Sequence, residues 1–158
     1  MSEESIATIA KRMIEIKSSL AKDYRKSLPA LTPLSMPFWE GASKHELKMQ
    51  KCKSCGTFFW YPRAWCVECG SRDYEWVATK GKGKLHSFSI VRQVVQNSSG
   101  FETDLPYVLG MVDLEEGPRM IAQIFGMKPD EAKIGEKVFV NFVDVNDMMS
   151  IPYFKPLK

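Results

Sequence analysis

The 158-residue chain has little of several features that would mark particular classes of protein. It contains only two histidines, and its net charge at pH 7 is only +3. No apolar run approaches the ~18 residues that a membrane-spanning helix needs, and the opening residues, MSEESIATIAKR, lack the apolar core of a signal peptide. So small a net charge does not by itself indicate nucleic-acid binding. We therefore expect a cytoplasmic protein with no nucleic-acid partner and no membrane partner.

Cysteine is also scarce, and all four cysteines lie in one stretch, CKSCGTFFWYPRAWCVECG. Two C-x2-C pairs are separated by ten residues, and a glycine follows each pair. Two residues between cysteines suit a tight turn that points both sulfurs at one ion, so two such turns supply four thiolates. This spacing predicts a rubredoxin-like zinc ribbon with a small hairpin, and no inserted helix, between the pairs. The predicted metal ligands are Cys52, Cys55, Cys66 and Cys69.

The same cysteine spacing also fits other uses. A pair of disulfides would suit an oxidising compartment, and a redox dithiol would need one pair at the N-terminus of a helix that follows a strand. Iron could replace zinc, since sulfur ligation alone does not choose between the two metals. Because four protein ligands leave no coordination position for water, we expect a structural Zn²⁺ ion.

Sequence patterns divide the chain into three predicted regions. Residues 1–45 hold an amphipathic helix over Ile6–Tyr24, with apolar residues at steps of three and four, and then a connector. Three prolines within residues 28–37 make this connector extended. The apolar face of the helix could pack on the C-terminal part of its own chain or on another subunit. Residues 46–79 form the predicted zinc ribbon, and residues 80–158 form a β-rich domain.

The β-rich domain has the element order of an OB-fold barrel, five strands with a short helical segment between the third and the fourth. In the first of these strands His86, Phe88, Ile90 and Val94 are expected on one face, and Pro152 is expected to confine the last strand to an edge. The fold class is therefore mainly β with an N-terminal α-helix. Strands are predicted at Leu47–Gln50, Tyr74–Thr79, Leu85–Gln96, Tyr107–Leu114, Arg119–Phe125, Lys137–Val145 and Ile151–Phe154, and helical segments at Phe38–Gly41 and Met127–Ala132.

Aromatic residues crowd between the cysteine pairs, and lysines crowd just after the ribbon. Large apolar patches on small modules usually mark contacts, so part of the aromatic set is expected to meet a partner. The segment Lys80–Lys84, KGKGK, lacks the spacing and the final Ser or Thr of a nucleotide-binding loop. It is either a twisted turn into the barrel or a basic loop that meets phosphates. The partner-contact candidates are Phe59, Trp60, Trp65 and Tyr24.

No set of residues suggests catalysis by this chain alone. A nucleophilic cysteine needs a base beside it, and here every cysteine is committed to the metal. His45 and His86 lie in different predicted regions, and Glu115 and Glu116 are adjacent in a turn, as is usual at a solvated corner. The predicted catalytic set is empty.

Several motifs in order along the chain resemble one family. After the ribbon come the PYVLGMVDLEEGPRM hairpin, the IGEKVFV strand and the terminal PYFKP, and an FWEG segment precedes it. Together they resemble the rubredoxin-like zinc-ribbon plus OB-fold family of acyl-CoA-associated proteins, long catalogued as a domain of unknown function. The resemblance covers nearly the whole chain. It implies a zinc-binding accessory subunit of an acyl-CoA-processing hetero-oligomer with a thiolase-like large subunit, or alternatively with an acyl-CoA hydratase or aldolase.

The resemblance also implies that CoA or acyl-CoA is a ligand of the complex. Because CoA carries an adenine and three phosphates, a helper surface would offer basic side chains near aromatic groups. The CoA-contact candidates are Lys80, Lys82, Lys84 and Arg63. The alternative from another class is a module that binds single-stranded nucleic acid, since OB barrels and zinc ribbons both serve there. Against it, the two central barrel strands carry one basic residue, Arg119.

Overall fold

A computed structural model describes residues 3–18, 24–94 and 100–157. It contains two α-helices, a three-stranded sheet and a closed five-stranded barrel. The predicted fold, mainly β with a ribbon followed by an OB-type barrel, is confirmed. The elements are α1 (Glu3–Ser18), α2 (Met36–Ala42), β1 (Lys48–Cys52), β2 (Phe58–Phe59), β3 (Tyr74–Ala78), β4 (Lys82–Val91), β5 (Tyr107–Leu114), β6 (Arg119–Ile124), β7 (Lys137–Asn146) and β8 (Met149–Pro156), with 3₁₀ turns at Glu102–Asp104 and Pro129–Glu131.

The N-terminal helix packs on its own chain. Ile9 and Met13 contact a small cluster around Leu31 and Met149, and the Arg12 guanidinium forms a 2.9 Å ion pair with Glu40. Of the two predicted alternatives, packing on the chain's own C-terminal part is therefore the one observed. Tyr24 is not helical, so the predicted end of the helix is wrong, and residues 19–23 lie outside the described residues. Among the described helices, none has both the length and the apolar character to cross a membrane.

The ribbon sheet and the barrel share one apolar core. The sheet has the order β2-β1-β3 and is antiparallel throughout. Leu47, just before β1, and Met49 within it are buried in the same cluster as Phe38 of α2 and Val108 and Phe154 of the barrel. The ribbon is thus held to the barrel by buried side chains as well as by the connecting chain.

The KGKGK segment is a turn that leads directly into the barrel, which is the first of the two structures predicted for it. Gly81 has φ 66°, and β4 begins at the next residue, Lys82. A Cβ at Gly81 would lie 2.3 Å from Cγ1 of Val140, so the close approach also requires glycine there. The barrel order is β4-β5-β6-β8-β7, so the five strands close on themselves.

A bulge in β4 overturns the predicted alternation of that strand. The register against β5 shifts between Leu85 and Ser87, because one extra residue is inserted. His86 is consequently exposed while Phe88 packs on the core, so the two side chains do not share a face. The strand also ends at Val91, which leaves Val94 outside it.

Pro152 predicted that the last strand lies at an edge of the sheet, and that prediction is wrong. β8 lies between β6 and β7 in the closed barrel. The pairing between β8 and β6 is limited to Ile124 and Phe154, so Pro152 lies outside it. On the other side of β8, Pro152 is opposite Phe142 of β7. The missing N–H of proline therefore removes no hydrogen bond from the short β6–β8 contact.

Candidate metal centre and aromatic groove

The four cysteines converge at one end of the ribbon. Their sulfur atoms all lie within 4.8 Å of one another, and the Sγ–Sγ distances are 3.6 Å for Cys52–Cys69 and 3.6 Å for Cys55–Cys66. An ion with Zn–S bonds of ~2.3 Å holds its sulfurs about 3.8 Å apart in a tetrahedron. A disulfide would need an S–S distance of ~2.05 Å. The cysteines are therefore free thiols positioned to bind a metal, as predicted.

Each C-x2-C-G motif closes the same tight turn. Gly56 N donates to Cys52 O at 2.9 Å, and Gly70 N donates to Cys66 O at 3.1 Å. The two glycines have φ 76° and 73°, which side chains rarely adopt, so glycine is what the turn requires. The backbone N–H of Glu68 points at Cys66 Sγ from 3.4 Å, which supports a thiolate there.

The thiols differ in acidity because their hydrogen-bond partners differ. Hydrogen bonds from the side chain and backbone of Thr57 lower the pKa of Cys55 to about 6. For Cys69, a backbone hydrogen bond from Ser71 lowers the pKa, but the neighbouring Cys52 and Cys55 sulfurs outweigh it and raise the pKa to about 12. Four thiolates this close repel one another, and a bound cation removes that penalty. Zinc would be held by all four cysteines and would supply a structural tie, with no open position for chemistry.

A buried glutamine pins the hairpin between the cysteine pairs. Gln50 is 1% exposed, its Nε2 donates to Arg63 O at 2.8 Å, and its Oε1 accepts from Arg63 N at 2.7 Å. Sequence reasoning missed this residue, because a glutamine in a short strand suggests a solvent-facing side chain. Only the return of the hairpin over β1 shows that it is enclosed.

The four partner-contact candidates differ in how far their side chains are exposed. Phe59 is 2% exposed and packs with Cys52, Cys66 and Tyr74, so its side chain cannot reach a partner, and that prediction is wrong. The physical reason is that the metal turns need an apolar side chain beneath them. Trp65 is 54% exposed. Trp60 packs on Phe38 with ring centroids 4.5 Å apart, and its buried Nε1 lacks a hydrogen-bond partner among the described residues.

A large apolar groove lies between the connector, α2, the ribbon hairpin and the outer face of β5, β6 and β8. Its volume is about 590 Å³, and both Tyr24 and Trp60 line it. Polar groups are few at the wall, with Lys26 paired to Asp104, which also accepts from Gln123 Nε2 at 3.2 Å. Burial raises the pKa of Tyr24.

One feature of the sequence indicates this surface, namely the apolar residues on both faces of β5. Exposed apolar side chains at the groove are Tyr61, Leu109, Ile121 and Val143. Tyr61 belongs to the aromatic set between the cysteine pairs, part of which was expected to meet a partner, and sequence reasoning missed the other three.

The structure does not bring the CoA-contact candidates to this groove. Lys80 Nζ lies 3.3 Å from Glu115 Oε2, and Lys80 N donates to Glu116 Oε1 at 2.7 Å. The Arg63 backbone is bound to Gln50, as described above. Lys82 and Lys84 are exposed on β4. None of the four candidates is among the residues that line the groove.

Each histidine is matched with a carboxylate. His45 Nε2 lies 2.7 Å from Asp144 Oδ1, and His86 Nδ1 lies 2.9 Å from Asp113 Oδ2. The His45 hydrogen bond lowers the pKa of Asp144, and a hydrogen bond from Arg119 lowers that of Asp113. Ser150 Oγ donates to Asp144 at 2.7 Å, so the hydroxyl is bonded to the carboxylate and not to the imidazole. This arrangement supplies no activated nucleophile.

Comparison with known proteins gives matches for both parts of the chain. Residues 39–75 match the rubredoxin-like zinc ribbon domain of ChsH2, and residues 76–143 match its C-terminal OB-fold domain. The solved Ltp2-ChsH2(DUF35) aldolase contains a chain that is similar with a TM-score of 0.71 and 28% identity, covering 82% of this chain and 98% of that one.

Three similar proteins differ in name and in length. A DUF35 domain-containing scaffold protein of Methanocaldococcus jannaschii is 35% identical over 68% of this chain and 79% of its own length. The benzoylsuccinyl-CoA thiolase subunit BbsA of Geobacter metallireducens is 27% identical over 89% and 94%. A probable enoyl-CoA hydratase alpha subunit of Thermomonospora curvata is 28% identical over 97% of this chain, which spans only 49% of that relative. The chain therefore belongs to the DUF35 family, with a ChsH2-type zinc ribbon followed by an OB-fold domain.

Proposed function

We propose that the chain is a non-catalytic, zinc-binding accessory subunit of a hetero-oligomeric complex that processes acyl-CoA thioesters. The observation that carries this proposal is the open apolar groove with exposed apolar side chains, in a chain whose four cysteines are gathered at one candidate metal centre. Similar proteins are named as a benzoylsuccinyl-CoA thiolase subunit, a probable enoyl-CoA hydratase alpha subunit and part of an aldolase.

The chemistry of the complex would come from another chain. Carbon–carbon bond cleavage by a thiolase needs a nucleophilic cysteine with a base to take and return its proton. Here the four sulfurs face one another, and both histidines face carboxylates. The described residues therefore offer a binding surface and not a reaction centre.

The groove and its rim would be the surface that meets the catalytic subunit. Ile121 and Leu109 project from the outer face of β6 and β5, and Tyr61 projects from the ribbon hairpin toward the same opening. Isolated exposed apolar residues are ordinary, but a contiguous set around a concave surface marks a contact site. The same outer face is where OB-folds bind single strands, and its apolar side chains favour a protein partner over nucleic acid. Trp65, exposed on the hairpin, would extend this contact.

Within this class we propose a thiolase-type large subunit as the partner. The share of each chain that is matched supports this choice. This chain and the thiolase subunit BbsA match over nearly their whole lengths, whereas the hydratase alpha subunit is about twice as long as this chain. Benzoylsuccinyl-CoA, the compound in the name of that relative, gives an aromatic acyl thioester as the proposed substrate class. CoA contacts by Lys80, Lys82, Lys84 and Arg63 remain part of the proposal.

Co-expression of the tagged chain with a candidate thiolase subunit tests the proposal. The wild-type chain should capture that subunit in a fixed ratio, and the complex, but not the chain alone, should cleave a 3-oxoacyl-CoA in the presence of CoA. Ile121→Asp should weaken capture at least about tenfold, because it places a charge on the buried part of the contact. The matched control is Ile134→Asp, since Ile134 is 70% exposed and does not line the groove.

Three results would contradict the proposal. One is isolation of a stable chain that captures no acyl-CoA enzyme. Another is equal loss of capture in both variants, which would mean that the groove is not the contact. The third is tight, salt-sensitive binding to single-stranded nucleic acid in preference to a protein, which would favour the alternative class.

A further inference from the structure

Four lysines lie on the outward face of three neighbouring barrel strands. Lys82 and Lys84 project from β4, Lys137 from β7 and Lys155 from β8, and the residues that alternate with them, such as Val138 and Phe154, are fully buried. Within residues 3–18, 24–94 and 100–157, none of the four forms an ion pair with a carboxylate. This surface, the lysine face, consists of these lysines and Phe139.

The lysine face brings two like charges side by side. Lys84 and Lys137 are direct partners across the β4–β7 ladder, so their Cβ atoms are about 5 Å apart, and like charges in this position destabilise a sheet. On its other side Lys84 is opposite Asp113, but that carboxylate is held by Arg119 and His86. An anion between the two ammonium groups would remove the repulsion.

An aromatic side chain occupies the middle of the lysine face. Phe139 is the direct partner of Lys82 on β4 and of Lys155 on β8, and it is half-buried on the outward side of β7. Lys155 Nζ lies 5.4 Å from the centre of the Tyr153 ring, so a second aromatic group borders the site. Ammonium groups around a half-buried ring on the outward side of a strand suit a ligand that joins a planar base to phosphates, because the base can stack and the phosphates accept charged hydrogen bonds.

We propose that the lysine face binds the adenosine phosphate end of a nucleotide ligand. Phosphate oxygens would lie between Lys84 and Lys137, and the purine would stack on Phe139. Identifying the ligand as the adenosine 3′,5′-bisphosphate part of CoA rests on the proposed function. Of the candidates from sequence, Lys82 and Lys84 lie on the lysine face, and Lys137, Lys155 and Phe139 are added to them there. Lys80 and Arg63 stay candidates for CoA contacts outside the lysine face.

The size of the lysine face favours a small nucleotide over a polynucleotide or an acidic protein surface. Three strands at ~4.8 Å spacing span about 10 Å, and two residues along a strand span about 7 Å. The next outward positions on β7 are Asn141 and Val143, so the positive charge does not continue as a stripe. At the entry to β4, Lys80 is paired with Glu115 and so adds no free charge.

Calorimetric titration of the isolated chain with adenosine 3′,5′-bisphosphate at low salt tests this site. Lys84→Gln/Lys137→Gln should weaken binding about tenfold or more, since it removes both groups that face the phosphate. The matched control Lys44→Gln/Lys128→Gln makes the same change of charge at exposed lysines elsewhere and should bind as the wild type does. Phe139→Ala should weaken binding of the bisphosphate but not of inorganic pyrophosphate, which has no base to stack.

Folding provides a second readout. Removing the Lys84–Lys137 repulsion should leave the melting temperature unchanged or raise it, so a loss of binding in that variant is not a loss of fold. No saturable binding by the wild type, or equal weakening by both double variants, would overturn the site. A preference for single-stranded oligonucleotides would also overturn the site. The same holds if Lys84→Gln/Lys137→Gln weakens capture of the catalytic subunit but leaves nucleotide binding unchanged.

The titration needs no partner, so the two proposals can fail separately. Capture of a catalytic subunit without nucleotide binding would contradict only the lysine face. Nucleotide binding by a chain that captures no acyl-CoA enzyme would contradict the accessory-subunit proposal and leave the lysine face standing.

Discussion

Replacing Cys66 by alanine should release both cysteine turns while the barrel stays folded. Cys66 is 1% exposed and shares its small cluster with Cys52, Phe59 and the partly buried Tyr74. The variant removes one of the four sulfurs that the metal needs, and a structural metal site of this kind forms together with its fold.

The size of the effect follows from what holds residues 53–73 in place. Burying Phe59 contributes only about 2–3 kcal/mol. A structural zinc ion supplies ~10–16 kcal/mol in zinc-finger peptides, so the metal is the largest local contribution. β1 differs, because Leu47 and Met49 are buried against the barrel and keep it attached without the metal.

Hydrogen exchange read by mass spectrometry, together with metal analysis, measures this outcome. The wild type should contain one zinc per chain and the variant none. Amides of residues 53–73, including the turn donors Gly56 and Gly70, should exchange fast in the variant, while β5 stays as protected as in the wild type. Val67→Ala changes an exposed residue inside the second turn and should keep both the metal and the protection.

Two results would refute this reasoning. A soluble, zinc-free Cys66→Ala protein whose residues 53–73 exchange as slowly as in the wild type would show that packing alone orders the ribbon. Loss of protection in β5 would show that the shared core around Met49 does not isolate the barrel from the metal turns.

Three further changes have expected outcomes. Gln50→Leu should lower the free energy of unfolding by about 1–3 kcal/mol in urea denaturation, because it leaves the N–H and C=O of Arg63 without partners; a neutral effect would mean that water replaces the amide. Gly110→Ala should cost about 1–3 kcal/mol, since its Cβ would lie 2.6 Å from Ile124 Cδ1 and 2.7 Å from Leu85 Cδ1, and Ile124→Val in the same chain should recover part of the loss. Asp144→Asn should cost no more than about 1 kcal/mol near neutral pH, because the pair with His45 is largely exposed. The lowered pKa of Asp144 means that this stabilisation is present above the unfolded value of ~3.9 and is lost as pH falls through the folded pKa, so the two unfolding curves should converge in acid.

Local patterns were enough for much of the fold. The strands of the barrel and ribbon follow from short apolar runs, and the turn at Gly117 follows from the Glu-Glu-Gly-Pro sequence, where φ is 112°. What failed depended on a neighbour far along the chain. The bulge between Leu85 and Ser87 is set by pairing with β5. The position of the strand that carries Pro152, between two other strands, is set by how β8 meets β6.

The amino-acid sequence by itself determined the four predicted metal ligands, because C-x2-C-G is a local motif whose glycine allows a tight turn that points both sulfurs at one ion. It also places all four cysteines of the chain in that pair of motifs. Tertiary structure alone decided which surfaces remain for binding. Phe59 was taken into the interior, the groove formed where the hairpin meets β5 and β6, and Lys84 was set beside Lys137. The physical reason is strand register: pairing between distant segments chooses which side chains become neighbours, and a single-residue shift sends each of them to the opposite face.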